Sequence, residues 1–330
     1  MIKYVYTLFS FCLVYISATA QQPYGKEPLA HTYSIVAIDS ETGDMGVAVQ
    51  SHWFATGTLV TWGKAGVGVV ATQSFVNPAY GPDGLGLMEM GFSPKQTIEM
   101  LTIKDEGRGY RQVGMLNANG ESWAYTGADC IEAAGHLVGE GYAVQANLMD
   151  KATVWPAMAK AFEDSKGKPL AERLLIAMEA AQAEGGDIRG KQSAAILVVS
   201  GEKVPQEWQG ILVDLRVDDH PEPLKEMKRL LKVHRAYEHM NKGDLAVEAG
   251  DVALAKKEYG AAEALFPDNL EMQYWHAVAL ANNGEMEEAL PIFKKIFAQD
   301  KNWHTLTPRL TKNGVLNVSE EALKQILSLH

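Results

Sequence analysis

Cysteine is almost missing from this chain. Two occur in 330 residues, and Cys12 lies in an apolar N-terminal run, so removal of that run would leave only Cys130. An internal disulfide is then excluded, even in a compartment that permits one. A lone cysteine is a candidate nucleophile, but small thiols sit mostly in cores, and Cys130 is expected there. Basic residues are also scarce. Thirty Lys and Arg stand against 41 Asp and Glu, a formal net charge of -11. Nucleic acid and anionic membrane surfaces both call for a basic footprint, so neither is an expected partner. Long hydrophobic runs are lacking too. The apolar stretch from Tyr4 to Ile16 is shorter than the roughly 20 residues that span a bilayer.

That stretch reads instead as a signal peptide. Lys3 supplies the positive start, and Ala18-Thr19-Ala20 places small residues where a signal peptidase cuts. Cleavage after Ala20 would leave Gln21 first, in the periplasm or outside the cell.

Metal and nucleotide motifs are missing as well. No His-Glu-x-x-His occurs, and Asp218-Asp219-His220 would point to alternating faces of a strand. Gly185-x-x-x-x-Gly190-Lys191 resembles the start of a P-loop, but Gln192 stands where Ser or Thr would hold magnesium. The order is also reversed: a helix leads into this loop and a strand leaves it, so no helix N-terminus faces a phosphate. No cofactor and no metal are expected. Asp187, Arg189, Lys191, Gln192 and Ser193 still crowd polar groups at one strand end.

What is present is a series of strands in hairpins. Thr32–Ile38 and Met45–Ser51 flank the turn Glu41-Thr42-Gly43-Asp44, and Leu59–Trp62 and Gly66–Phe75 follow. Ser93 caps a helix with Pro94 at its first position and Gln96 completing a capping box. Strands Arg111–Asn117 and Glu121–Thr126 close around Ala118-Asn119-Gly120, and Tyr142–Met149 is another strand. Helices over Val154–Asp164 and Leu170–Glu184 precede strands Ser193–Val199 and Ile211–Val217. Hairpins interrupted by a few helices indicate antiparallel sheets with helices packed on them, an α+β class.

After Pro221 the character changes. A charged helix runs over Pro223–Asn241, and then Gly250, Ala255 and Tyr259 recur as Gly284, Ala289 and Phe293. The 34-residue period of small, small and aromatic positions resembles the tetratricopeptide repeat. Two units are fewer than the three such arrays need, so flanking helices, including Glu320–Leu329, are expected as caps. A protein partner would be held by these repeats. The expected organisation is a signal peptide over 1–20, a leader over 21–31, an α/β domain over 32–222 and a helical tail over 223–330.

Several polar residues fall inside strands or at their ends: Gln50, Ser51, Thr72, Gln73, Ser74, Gln145 and Asn147. Buried amides cost free energy unless they are bonded. A cluster of them could form an oxyanion hole.

At this point a family resemblance is visible. It rests on Thr32–Ala37, Gly46–Ser51, Val70–Gln73, Asn77–Gly81, Tyr125–Ala128, Ala134–His136, Gln145–Asn147, Gly185–Asp187, Gln192–Ala194 and Asp214–Pro221. In this order the segments resemble an uncharacterised bacterial family (domain of unknown function ten twenty-eight) placed among the N-terminal-nucleophile (Ntn) hydrolases. The resemblance implies a four-layer αββα sandwich, here followed by a small all-α helical-repeat domain. It also implies that Thr32 is the nucleophile, with its own α-amine as base. An amine of pKa about 7.7–8.0 is partly neutral at working pH, whereas an amide nitrogen cannot take a proton. Because Gln21–His31 precede Thr32, a second cut at His31-Thr32 is required. Asn147 or Gln73 would steady the oxyanion, and Arg111, Arg189 and His136 are the candidates for holding substrate. The reading is an exported hydrolase of an amide or peptide-like bond. The alternative is an inactive binding module whose leader plugs the site and whose repeats grip a peptide.

Overall fold

The computed structural model describes residues 29–30 and 32–329. The expected signal peptide, residues 21–28 of the leader and His31 lie outside the described residues. The described elements form a mixed α+β region followed by a helical one.

Strands β1 (Leu29–Ala30), β2 (Thr32–Ile38) and β3 (Met45–Ser51) come first, then a short helix α1 (Gly57–Val60) and strands β4 (Thr61–Lys64) and β5 (Gly68–Phe75). Helices α2 (Tyr80–Glu89) and α3 (Pro94–Ile103) separate these from β6 (Arg111–Asn117), β7 (Ser122–Thr126), β8 (Gly135–Gly139) and β9 (Tyr142–Ala146). Helices α4 (Val154–Asp164) and α5 (Leu170–Ala183) precede β10 (Ser193–Val199) and β11 (Ile211–Val217). One antiparallel sheet has the order β11-β10-β3-β2-β9-β8. The other runs β1-β5-β6-β7, with β4 also paired to β5.

Strand alternation sorts side chains between the two faces of each sheet. Val36, Val47, Val49, Ala71, Leu116 and Leu197 meet between the sheets. The opposite face of the six-stranded sheet, with Tyr33, Ile35 and Ile196, packs on Met158, Phe162, Leu174 and Met178 of α4 and α5. Val70, Val113 and Met115 on the outer face of the other sheet meet Tyr80, Leu85 and Ile98 of α2 and α3. The capping box of Ser93 and Gln96 starts α3 as expected.

Local structure departs from the sequence reading in places. The expected strand Leu59–Trp62 is divided, since α1 ends at Val60 and β4 begins at Thr61. Helix α2 was not legible in the sequence, because YGPDGLGLME carries three glycines and a proline, all poor helix formers. Packing overrides propensity there: a Cβ on Gly81 would lie 2.3 Å from the Trp62 ring.

Helix α6 (Pro223–Glu248) leads into the tail. Its first half sends Leu224, Met227 and Leu231 into the α4–α5 layer. Its second half puts Ala236, Met240 and Ala246 against Tyr259 and Ala262 of α7 (Val252–Leu265). Helices α8 (Leu270–Asn282), α9 (Met286–Gln299), α10 (Lys301–Leu310) and α11 (Glu320–Leu327) complete the tail. The 34-residue recurrence is structural. Gly250 and Gly284 end α6 and α8 at φ +74 and +80, a region that suits glycine at a helix end. Ala255 and Ala289, Tyr259 and Phe293 are buried in equivalent helices. Trp303 lies 4.7 Å from Tyr274, ring to ring, as part of this core.

Candidate active site

The apolar filling between the sheets stops toward the start of β2. Ladder partners share a face, so Thr32 of β2 stands in a row with Ser51 of β3 and Ser193 of β10. Two residues along, Ser34 faces Gln73 of β5. Gln73 in turn lies opposite Gln112 of β6. Thr32, Ser34, Gln73, Gln112, Gln145 and Asn147 are all fully buried, so each amide needs partners inside the protein.

The partners are specific. Ser34 Oγ donates to Gln73 Oε1 at 2.5 Å and accepts from Gln145 Nε2 at 2.6 Å. Gln73 Nε2 donates to the Thr32 carbonyl oxygen at 3.1 Å and to Gln112 Oε1 at 2.7 Å. Asn147 Nδ2 donates to the same Gln112 oxygen at 2.8 Å and lies 3.4 Å from the Thr32 carbonyl. The Asn147 backbone N–H completes the set on that carbonyl at 3.1 Å. Gln73 and Asn147 therefore converge on the Thr32 carbonyl. Their N–H groups are directed at this backbone oxygen, which fixes the start of β2.

Gln112 is the residue that sequence reasoning missed. Its amide orientation is set by two backbone carbonyls: Nε2 donates to Ala146 O at 2.9 Å and Gly135 O at 3.2 Å. Nε2 also lies 2.8 Å from Thr126 Oγ1. Thr126 Oγ1 in turn lies within hydrogen-bond distance of His136 Nδ1, 2.8 Å away. His136, on edge strand β8, is exposed, but the loss of water on its inner side holds the imidazole below its ordinary pKa. The usable signal was an amide in the middle of an inward-facing strand position, the same signal that marked Gln73.

Backbone strain gathers nearby. Ser74 and Leu148, neighbours of Gln73 and Asn147, have φ of +72 and +58. Left-handed non-glycine residues cost on the order of 1–3 kcal/mol and persist where the surroundings dictate them.

The two arginine candidates lie outside this network. Arg111 is on the opposite face of the five-stranded sheet. Its Nε and Nη2 meet Asp105 at 2.7 and 3.3 Å, and Nη1 donates to Phe75 O at 2.7 Å. Burial pushes the Asp105 carboxyl up, but hydrogen bonds from Arg111 and Tyr80 outweigh it and hold the group below the usual range. Arg189 pairs bidentately with buried Asp187 at 2.7 and 3.0 Å. Asp187 also accepts from the His52 backbone N–H at 3.2 Å, which places this pair beside the end of β3, next to Ser51. Cys130 is buried against Arg111 O at 3.4 Å, and burial raises its thiol pKa. Among the described residues, no three His, Cys, Asp or Glu side chains gather as a metal site. No helix among them is long and apolar enough to cross a membrane.

Two separate stretches of the chain match family models. A tetratricopeptide-repeat model matches residues 240–302. Among solved structures, the crystal structure of protein SPO2555 from Silicibacter pomeroyi, described with the DUF1028 family model, is 29% identical. It superposes with a TM-score of 0.55 over 62% of this chain and 88% of that one. No curated protein matches. The model of the family of unknown function DUF1028 matches residues 32–227 and so begins on Thr32, the residue that the buried amides hold. The chain belongs to that family.

Proposed function

We propose that this protein is an exported amide hydrolase of the Ntn type, latent until the His31–Thr32 bond is cut. The observation that supports this most is the anchoring of Thr32. It is the first residue of β2 and of the family match, it is fully buried between the sheets, and its carbonyl is held by Gln73 and Asn147. Hydrolysis of the preceding bond would leave a carboxylate on His31 and an α-amine on Thr32. That amine takes the Oγ proton as Oγ attacks an amide carbonyl, then passes it to the departing nitrogen as the C–N bond breaks. Water next cleaves the Thr32 ester and restores the hydroxyl. Gln73, Asn147 and Gln112 position the nucleophile, and Arg189, paired with Asp187 beside the end of β3, is the candidate for a substrate carboxylate.

A second reading is a binding module without chemistry. It is favoured by β1, which keeps Leu29–Ala30 paired to β5 directly ahead of Thr32. In either case the tetratricopeptide-like tail would hold a protein partner.

The intact mass and N-terminal sequence of protein recovered from outside the cytoplasm separate the readings. A start at Thr32, with amide hydrolysis lost in Thr32→Ala and folding kept, is the expected result. A uniform start at Gln21 removes the only base this mechanism has and leaves the binding module.

A further inference from the structure

The edge of β5 is covered in two parts. Strand β4 pairs with Gly68 to Ala71 and stops there, since Thr61, its first residue, faces Ala71. Beyond that point the same edge is taken by β1, antiparallel, with Leu29 opposite Phe75 and Ala30 opposite Ser74. This register advances toward Gln73, whose amide meets the Thr32 carbonyl at 3.1 Å. Between Ala30 and Thr32 the chain leaves one sheet and joins the other. The edge is rigidly held. Phe75 O is bonded to Arg111, itself clamped by Asp105, and the Phe75 ring packs edge-on against Tyr110 at 5.4 Å.

We propose that the β5 edge at Ser74–Phe75 is a docking strand for extended peptides. The acyl half of the substrate lies there antiparallel, in the place that Leu29–Ala30 fill in the uncut chain. A segment on the N-terminal side of the His31–Thr32 bond is, for a Thr32 nucleophile, the acyl side of the bond attacked. The residues seated on β5 therefore show how a polypeptide acyl group reaches Thr32. An open strand end recognises such a group through its backbone, with little demand on side chains. The substrate class is then a polypeptide amide. A small amide would have no use for this edge. The word acyl rests on the hydrolase reading. The docking strand itself does not.

The test uses the full chain. Leu29→Pro with Ala30→Pro removes both β1 backbone donors and should speed amide exchange at Ser74 or Phe75, whichever directs its N–H at β1, at least about tenfold. Adding a peptide of the sequence of residues 24–31 should restore the protection. Antiparallel partners alternate between bonded and non-bonded pairs. One of two peptides, N-methylated at Leu29 or at Ala30, should therefore fail to restore protection, and the other should succeed. Unchanged exchange in the double variant, no restoration by peptide, or equal behaviour of the two methylated peptides would overturn the proposal. Hydrolysis is scored separately. Restored protection without turnover leaves the docking strand standing and removes the hydrolase. Turnover of small amides without restoration does the reverse.

Discussion

Gln112 lies opposite Gln73 across the β5–β6 ladder and accepts its amide N–H at 2.7 Å, while taking a second from Asn147 at 2.8 Å. A single side-chain oxygen thus orders both amides that hold Thr32. Replacing it with the similarly sized Leu in Gln112→Leu leaves those two donors short of a partner and also deprives Ala146 O and Gly135 O. Burial without a partner costs about 1–3 kcal/mol per group. We expect Gln112→Leu to lower stability by at least that much in urea denaturation. The double variant with Gln73→Leu should lose less than the two single losses added, because the groups share bonds. Strict additivity would show that they do not act as one network.

The Asp105–Arg111 pair is structural. The Asp105 and Arg111 side chains are only 12% and 4% exposed, so Asp105→Asn strands a buried guanidinium and should cost about 3–5 kcal/mol at neutral pH. Asp105 is held below its ordinary range. The contribution is therefore complete above the unfolded value of about 3.9 and is lost as pH falls through the lower folded value. Melting curves of the two proteins should converge in acid. A gap that stays constant to pH 2 would contradict this assignment.

His136 should titrate below about 6.5, since burial of its inner side disfavours the cation. The sign is that of a depressed pKa: stability drawn from the neutral ring is present above the unfolded value and lost as pH falls through the folded one. Proton NMR of the ring would give the value directly. A titration at or above 6.5 would mean that the inner side of the ring is not shielded from water as its place on β8 implies.

How much of this could be read beforehand depended on whether the signal was local. Strands such as Thr32–Ile38, Met45–Ser51 and Ser193–Val199 were legible because β-rich runs end at turn residues. The tail was legible because Gly250 and Gly284 mark the same turn one period apart. Helix α2 was hidden, since Gly81 serves the contact with Trp62 and Gly84 that with Met115 rather than helix formation. Thr32 could be named through the family resemblance, and Gln73 and Asn147 by residue type and strand position, but the ladder that puts Gln112 against Gln73 joins segments 39 residues apart. Arg111 looked like a substrate ligand because nothing in its own strand shows Asp105 waiting on the other face.

The last prediction concerns where the two regions part. The layers divide α6 between Leu231 and Ala236: Leu224, Met227 and Leu231 fill the α4–α5 core, and Ala236 onward packs on α7. A chain ending at Tyr237 keeps the first group and should retain a cooperative thermal transition by circular dichroism. A chain ending at Glu222 removes three buried side chains from that core. Large apolar deletions of this kind cost about 2–5 kcal/mol each, more together than the 5–15 kcal/mol margin of an ordinary domain comfortably carries. That shorter chain should therefore melt far lower or lose its transition. The longer one also cuts after Arg235, whose pairing with Glu172 at 2.7 Å is kept, so its loss of stability should be modest. If both truncations unfold alike, the α/β region depends on the repeats themselves and not on the first half of α6. If both fold alike, Leu224, Met227 and Leu231 contribute nothing that the core requires.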